Sequence, residues 1–262
     1  MNLDDFKNRI FTFQTYFNED TIFILKEKMG TRLFDGVYDK LNLTPMRMRI
    51  EFENSGEIKT SSLHYSNRPM EENFYQFIKN KKIILLIKDP LQRLASGIYE
   101  SYIHGGNVYQ LYYSSLNYDN VFNITEIINK YNSDISLSEN EVSELEQYIK
   151  SILRFCLIDY SPISDNHFQK YHKPFFDFVT NHNIKIDEVY TTDSFFTNEV
   201  SNHKFNFNIN FNNTKHSWLG KKDIVIKSIG EYISASESFR ENYNKYMQDE
   251  KTSYEYFLKL NG

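Results

Sequence analysis

The feature that most constrains the fold is an uninterrupted aliphatic run, Ile83 to Ile87, with a polar turn directly behind it. Such a run is typical of a strand that is buried on both faces. After Pro90 the apolar residues recur on one side of a helix: Leu91, Leu94, Ala95, Ile98, Tyr102 and Ile103. The turn and the helix start carry Lys88, Asp89, Arg93 and Ser96. A buried strand that enters a helix through a cationic turn predicts an anion site, with a nucleotide phosphate as the first candidate.

Similar patterns elsewhere predict an α/β protein. Strands are predicted at residues 21–25, 46–52, 57–65, 83–87 and 205–212, and helices at about 32–41 and 70–79. Ser138 and Glu141 form a capping box at the start of an amphipathic helix, and the chain from about Asp223 reads as helical. The alternation of strands and helices predicts a central parallel sheet flanked by helices. Without a linker or repeat, residues 1–262 are expected to form a single domain.

Composition excludes several classes of function. The net charge of −5 argues against a general nucleic-acid binder, which needs a basic face. The single cysteine, Cys156, lies in an apolar stretch and predicts a buried structural thiol rather than a disulfide framework or a cysteine-based zinc site. No stretch reaches the roughly 18 apolar residues of a membrane span. The start of the chain lacks the apolar core of a signal peptide, so a soluble cytoplasmic protein is expected.

A second cationic turn follows the strand at 21–25. It contains Lys26, Lys28, Gly30, Thr31 and Arg32, ahead of the predicted helix. Glycine lets backbone amides approach a phosphate, and lysine neutralises the charge of the ligand. The Walker A pattern is absent, and for this loop taken alone a solvated basic turn is the favoured interpretation.

Taken together, the two turns resemble the two nucleotide-binding motifs of the sulfotransferases that depend on 3′-phosphoadenosine 5′-phosphosulfate (PAPS). Lys28-Met29-Gly30-Thr31 resembles the family's first loop, PKSGTT, which binds the 5′-phosphosulfate. Asp89-Pro90 with Arg93 and Ser96 is similar to the second motif, which binds the 3′-phosphate. Lys88 stands where the family favours arginine. Lysine keeps the positive charge but cannot form the two parallel hydrogen bonds that a guanidinium group makes to a phosphate.

This resemblance implies roles for individual residues. Lys88 and Ser96 would hold the 3′-phosphate, with Arg93 beside them, and Lys28 would stabilise charge on the leaving group. His64 ends a segment similar to the family's KTH segment, 24 residues before Lys88, and would be the general base. Glu51 and Glu53 are the alternative bases. The scheme requires no metal.

Two further segments resemble acceptor and cofactor elements of the family. The sequence Asp165-Asn166-His167-Phe168-Gln169 is similar to a DxHxxPQ-like segment of carbohydrate sulfotransferases, which implies acceptor contacts from His167 and Gln169. A basic stretch after residue 212 implies that Lys215, Lys221 or Lys222 closes over the 3′-phosphate; a solvated basic turn is the alternative.

The sequence therefore predicts a PAPS-dependent sulfotransferase with a P-loop-like α/β fold. It would transfer a sulfuryl group to a hydroxyl or amine of a small-molecule or glycan acceptor and release adenosine 3′,5′-bisphosphate. Two alternatives remain open. One is a nucleotide or small-molecule kinase, and the other is a non-catalytic nucleotide-binding member of the same fold.

Overall fold

A computed structural model describes residues 9–25, 38–52, 58–65, 68–73, 77–104, 121–154, 172–196 and 223–260. Several predicted features lie outside these ranges: the strand at 205–212, Cys156, Glu53, Lys221, Lys222 and the site residues Lys26, Lys28, Gly30, Thr31, Arg32, His167, Gln169 and Lys215. The chain divides into two compact units. Unit 1 comprises residues 1–90, 169–215 and 249–262, and unit 2 comprises residues 91–168 and 216–248.

Unit 1 is built on a seven-stranded sheet with the order β5-β4-β3-β1-β2-β6-β7. The strands are β1 (Arg9–Phe17), β2 (Thr21–Leu25), β3 (Thr44–Phe52), β4 (Ile58–Tyr65), β5 (Arg68–Asn73), β6 (Lys82–Ile87) and β7 (Glu188–Thr191). The strands predicted at 21–25, 46–52, 57–65 and 83–87 are confirmed.

The sheet is mixed, so the predicted central parallel sheet is wrong in part. β2, β6 and β7 are parallel, whereas the pairs from β5 through β4, β3 and β1 to β2 are all antiparallel. Short connections explain this: three residues join β1 to β2, where the Asn18 side chain accepts hydrogen bonds from the amides of Asp20 and Thr21. A crossover between parallel strands needs a dozen or more residues, so such a turn enforces an antiparallel pair.

The helix predicted at about 70–79 is wrong over its first part, because residues 68–73 form β5. This strand pairs with β4, which opposes Tyr65 to Arg68 and Ser62 to Asn73. Hydrogen bonds to a neighbouring strand outweigh the local preference of a short polar segment. The end of the helix predicted at 32–41 is a 3₁₀ turn, Tyr38–Leu41, and the residues before Tyr38 lie outside the described ranges.

The core of unit 1 forms around β2 and β6. The side chains of Ile22, Ile24 and residues 84–87 are fully buried, as expected of strands covered on both faces. Helix α4 (His172–Asn181) and the end of α7 (Glu237–Lys259) pack on this sheet through aromatic rings. Phe175 lies 5.4 Å from Phe13 and 5.9 Å from Phe257 between ring centroids.

Unit 2 is helical. It contains α2 (Val121–Asn132), α3 (Glu139–Arg154), α6 (Asp223–Ala235), most of α1 (Pro90–Ile98) and the first half of α7. The predicted capping box is confirmed: the Ser138 hydroxyl accepts from the Glu141 amide, and the Glu141 carboxylate accepts from the Ser138 amide at 2.8 Å. The core of unit 2 includes Ile98, Tyr102 and Ile149.

A single π-helical turn, Tyr99–His104, continues α1, and side chains from two other helices hold its carbonyl groups. Asn132 of α2 donates to the Ile103 carbonyl at 2.9 Å and accepts from the Tyr99 hydroxyl at 3.0 Å. Tyr148 of α3 donates to the Tyr102 carbonyl at 3.2 Å. Burial, followed by the charges of nearby acidic groups, raises the pKa of Tyr99 above its ordinary value, so this phenol remains a hydrogen-bond donor.

Candidate functional site

The candidate site lies where three parallel strands of unit 1 end. β2 and β6 are neighbours in the sheet, with Ile22 opposite Ile83 and Ile24 opposite Leu85. β7 pairs with the other side of β6, with Ile87 opposite Thr191. The ends of these strands, Leu25, Ile87 and Thr191, therefore lie at one edge of the sheet, which we call the carboxyl edge. In open α/β sheets ligands bind at this edge.

The segment after β6 consists of Lys88 and Asp89, followed by Pro90 at the start of α1. Lys88 is half-buried and Asp89 is exposed, whereas Pro90 is buried. Proline suits the first helical position because its missing N–H would have no partner inside the helix. Lys88 therefore places a positive charge at the carboxyl edge, and it is the residue that the sequence predicted to bind a phosphate.

The segment after β7 was not predicted from the sequence. Thr191 caps α5 (Thr192–Phe195), and its hydroxyl accepts a hydrogen bond from the Ser194 amide at 3.2 Å. This cap fixes the backbone around Asp193, which is exposed in the first turn. The available signal was the threonine followed three residues later by a serine, two residues after the apolar Val189.

Tyr254 of α7 is affected electrostatically by both segments. Burial raises its pKa above the ordinary value of a phenol, and the negative charges of Asp89 and Asp193 add to the effect. All three residues belong to unit 1. Within the described ranges, the carboxyl edge therefore combines Lys88, two exposed carboxylates and a half-buried tyrosine that keeps its proton.

Arg93 and Ser96 lie farther along α1 and belong to unit 2. Their relative accessibilities are 3% and 2%, and the Ser96 hydroxyl donates to the Gln92 carbonyl of its own helix at 2.8 Å. The predicted contact with a 3′-phosphate requires this hydroxyl to leave that carbonyl and become accessible.

His64 lies in the same cross-strand row of the sheet as Leu25, at the end of β2, but three strands away from it. Its backbone is opposite Arg47, which is opposite Gln14, which in turn is opposite Leu25 at the end of β2. Three strand spacings separate His64 from Leu25, or about 14 Å between their backbones. β4 also runs antiparallel to β2. The alternative base Glu51 lies on β3, opposite Ile10 and Thr60.

Within the described ranges, no group of three or more histidine, cysteine, aspartate or glutamate side chains is arranged to hold a metal ion. A helix that is long and apolar enough to cross a membrane is likewise absent from those ranges.

Comparison of the chain with protein-family models, curated proteins and solved structures finds no match. The described residues define the chain as an α/β protein. Its sheet is mixed, and three parallel strands end at one polar edge.

Proposed function

We propose that the protein is a PAPS-dependent sulfotransferase that acts in the cytoplasm on a hydroxyl or amine of a glycan or small-molecule acceptor. The observation that carries this proposal is the parallel pairing of β2 with β6. It puts the ends of these two strands, Leu25 and Ile87, at the same edge of the sheet, and in the sequence each end is followed by one of the two segments that resemble the cofactor motifs. Two cationic turns on adjacent strands suit a nucleotide with phosphate at both the 5′ and 3′ positions.

The reaction is an in-line displacement at sulfur. A base, for which His64 is the candidate, accepts the proton of the acceptor hydroxyl while the oxygen forms a bond to sulfur. The bond from sulfur to the bridging oxygen breaks, and adenosine 3′,5′-bisphosphate leaves with the electron pair. Lys28 would stabilise the charge on that oxygen, and Lys88 would neutralise the 3′-phosphate. The wide backbone separation between His64 and the end of β2 makes the identity of the base the first point to test.

Binding of the product tests the proposal without knowledge of the acceptor. We expect adenosine 3′,5′-bisphosphate to bind at least about tenfold more tightly than ADP in calorimetric titrations, because only the former carries a 3′-phosphate. Lys88→Ala should weaken it about tenfold to a hundredfold, the effect of losing a charge-assisted hydrogen bond. Lys245→Ala, which removes an exposed lysine of α7, is the control. Equal affinity for the two nucleotides would overturn the proposal.

The base is tested with labelled PAPS and a panel of glycans, phenols and amines. We expect His64→Ala to abolish transfer and leave the affinity for adenosine 3′,5′-bisphosphate unchanged. If His64→Ala keeps full activity and Glu51→Gln loses it, the base is Glu51.

One observation favours a second function, phosphoryl transfer by a kinase. The carboxylates of Asp89 and Asp193 both raise the pKa of Tyr254 at the carboxyl edge. One or two carboxylates are what holds the Mg²⁺ of a bound nucleotide. The same titration separates the two functions. A kinase binds ATP more tightly with Mg²⁺ than without it and shows no preference for a 3′-phosphate.

A further inference from the structure

A cavity lies at the opposite edge of the sheet in unit 1, where β6 begins and where the chain enters β7. Its volume is about 460 Å³, within the range of small-molecule sites. One wall is the turn from Ile78 to Lys82, and the other comprises Asn183, Ile184 and the segment up to Asp187. The function proposed above makes no use of this cavity.

The cavity is cationic on a chain that is acidic overall. Its lining contains four lysines and one aspartate, whereas the net charge of the whole chain is −5. An excess of positive charge in a concave surface concentrates anions. The lining therefore favours an anion over a neutral or cationic molecule.

Three of the four lysines hold the walls in place. Lys81 donates to the carbonyl groups of Asn18 and Glu19 at 2.8 and 2.7 Å, and Lys82 forms an ion pair with Glu188 at 2.7 Å. Lys185 forms an ion pair with Asp187 at 2.9 Å. The contacts of Lys81 and Lys82 hold one wall without a ligand, and the amide of Ile83 donates to Asp187 of the other wall at 2.8 Å, so this part of the site is preformed.

Three other polar side chains of the lining can contact a ligand. Lys79, Asn80 and Asn183 are exposed, and their side chains make no hydrogen bond or ion pair with the part of the chain that the structure describes. Asn183 is held in the left-handed backbone region, with φ of 51°, where its amide donates to the Thr180 carbonyl. An ammonium group beside two carboxamides can bind an anionic group and hydroxyls together, since a carboxamide both donates and accepts.

Ile184, which is partly buried, adds apolar surface to the same cavity, whereas the side chain of Ile78 is buried in the core. The volume greatly exceeds that of a bare phosphate or sulfate ion, so the polar groups would contact such an ion from one side only. We propose that the cavity binds a hydroxylated organic anion about the size of a monosaccharide that carries a phosphate or sulfate ester. Lys79 binds the ester group, Asn80 and Asn183 bind hydroxyls, and Ile184 contacts the carbon skeleton.

The test uses the full chain and three probes: glucose 6-phosphate, glucose 6-sulfate and glucose. Amide chemical shifts of residues 78–82 and 183–187 are followed by NMR at increasing probe concentration. We expect saturable shifts with one or both esters and at least tenfold weaker binding of glucose. The two esters distinguish a phosphate source from a sulfate source. Absence of saturation with both esters would overturn the proposal.

Variants test the assigned residues. Lys79→Ala should weaken the ester about tenfold or more, because it removes a charge-assisted hydrogen bond, and Asn183→Gly should weaken it while keeping the left-handed backbone accessible. Lys245→Ala is the matched control, and it should bind the ester as the unchanged protein does. Equal loss in Lys79→Ala and Lys245→Ala would mean nonspecific attraction by surface lysines and would also overturn the proposal.

Discussion

The ammonium group of Lys130 lies 2.8 Å from the carboxylate of Glu141 and thereby joins the last turn of α2 to the first turn of α3. Glu141 is also the acceptor of the capping box that starts α3. The hydrogen bond to Lys130, followed by those to Ser138, lowers the pKa of Glu141 to about 2 from the ordinary value of 4.5. One carboxylate therefore acts both as a helix cap and as a link between helices.

This pKa shift predicts a pH dependence of stability. A carboxyl group whose pKa is lowered by folding stabilises the folded state above its unfolded pKa, near 4.5, and this contribution is lost as the pH falls toward 2. Glu141→Gln should therefore lower the urea midpoint at pH 6, and the difference from the unchanged protein should shrink between pH 4.5 and 2. Glu144→Gln, on the same helix, is the control. A constant difference across this pH range would contradict the assignment.

Because β6 is buried, a substitution that leaves a cavity in it should lower the free energy of unfolding strongly. Leu85 is fully buried between β2 and β7, so Leu85→Ala should lower the free energy of unfolding by about 3 kcal/mol. Leu258→Ala removes the same atoms from a side chain that is 39% exposed and should change stability by less than about 0.5 kcal/mol. Chemical denaturation measures both values. Similar losses in the two variants would contradict the burial of β6.

Asn132 should stabilise the π-helical turn. Asn132→Ala removes the donor to the Ile103 carbonyl and the acceptor of the Tyr99 hydroxyl, so we expect a loss of about 1 to 3 kcal/mol and faster amide exchange in residues 99–104. Tyr99→Phe removes only one of these hydrogen bonds and should cost less. A double-mutant cycle gives their coupling, which should be close to zero if Tyr99 and Asn132 do not interact.

The grouping of Asp89, Asp193 and Tyr254 at the carboxyl edge can be tested by titration. Both carboxylates disfavour the phenolate, so Asp89→Asn and Asp193→Asn should each lower the pKa of Tyr254 toward 10. NMR of tyrosine labelled at Cζ measures the pKa, and Tyr254→Phe assigns the signal. Asp39→Asn, at an exposed aspartate of the 3₁₀ turn, should leave the pKa unchanged. An unchanged value in both test variants would place the carboxylates away from Tyr254.

Local patterns in the sequence determined the elements with strong periodicity or clear end signals. The aliphatic run of β6, the proline that begins α1 and the capping box of α3 were all predicted, because each depends on residues close together in the chain. The cationic turn at Lys88 was located for the same reason. The four-residue strand β7 was missed, since so short a segment has too few positions to show alternation.

The tertiary structure alone decided how these elements pair and which residues meet. The antiparallel half of the sheet, the conversion of residues 68–73 into a strand and the position of His64 three strands from β2 all depend on hydrogen bonds between distant segments. The same holds for Tyr254, which is more than 160 residues from Asp89 in the chain. The sequence by itself determined the segments with a strong apolar pattern or a clear cap, such as β6 and α3, and the charges beside their ends. Long-range backbone pairing, which no local pattern encodes, decided which of those charged ends lie at the same edge of the sheet.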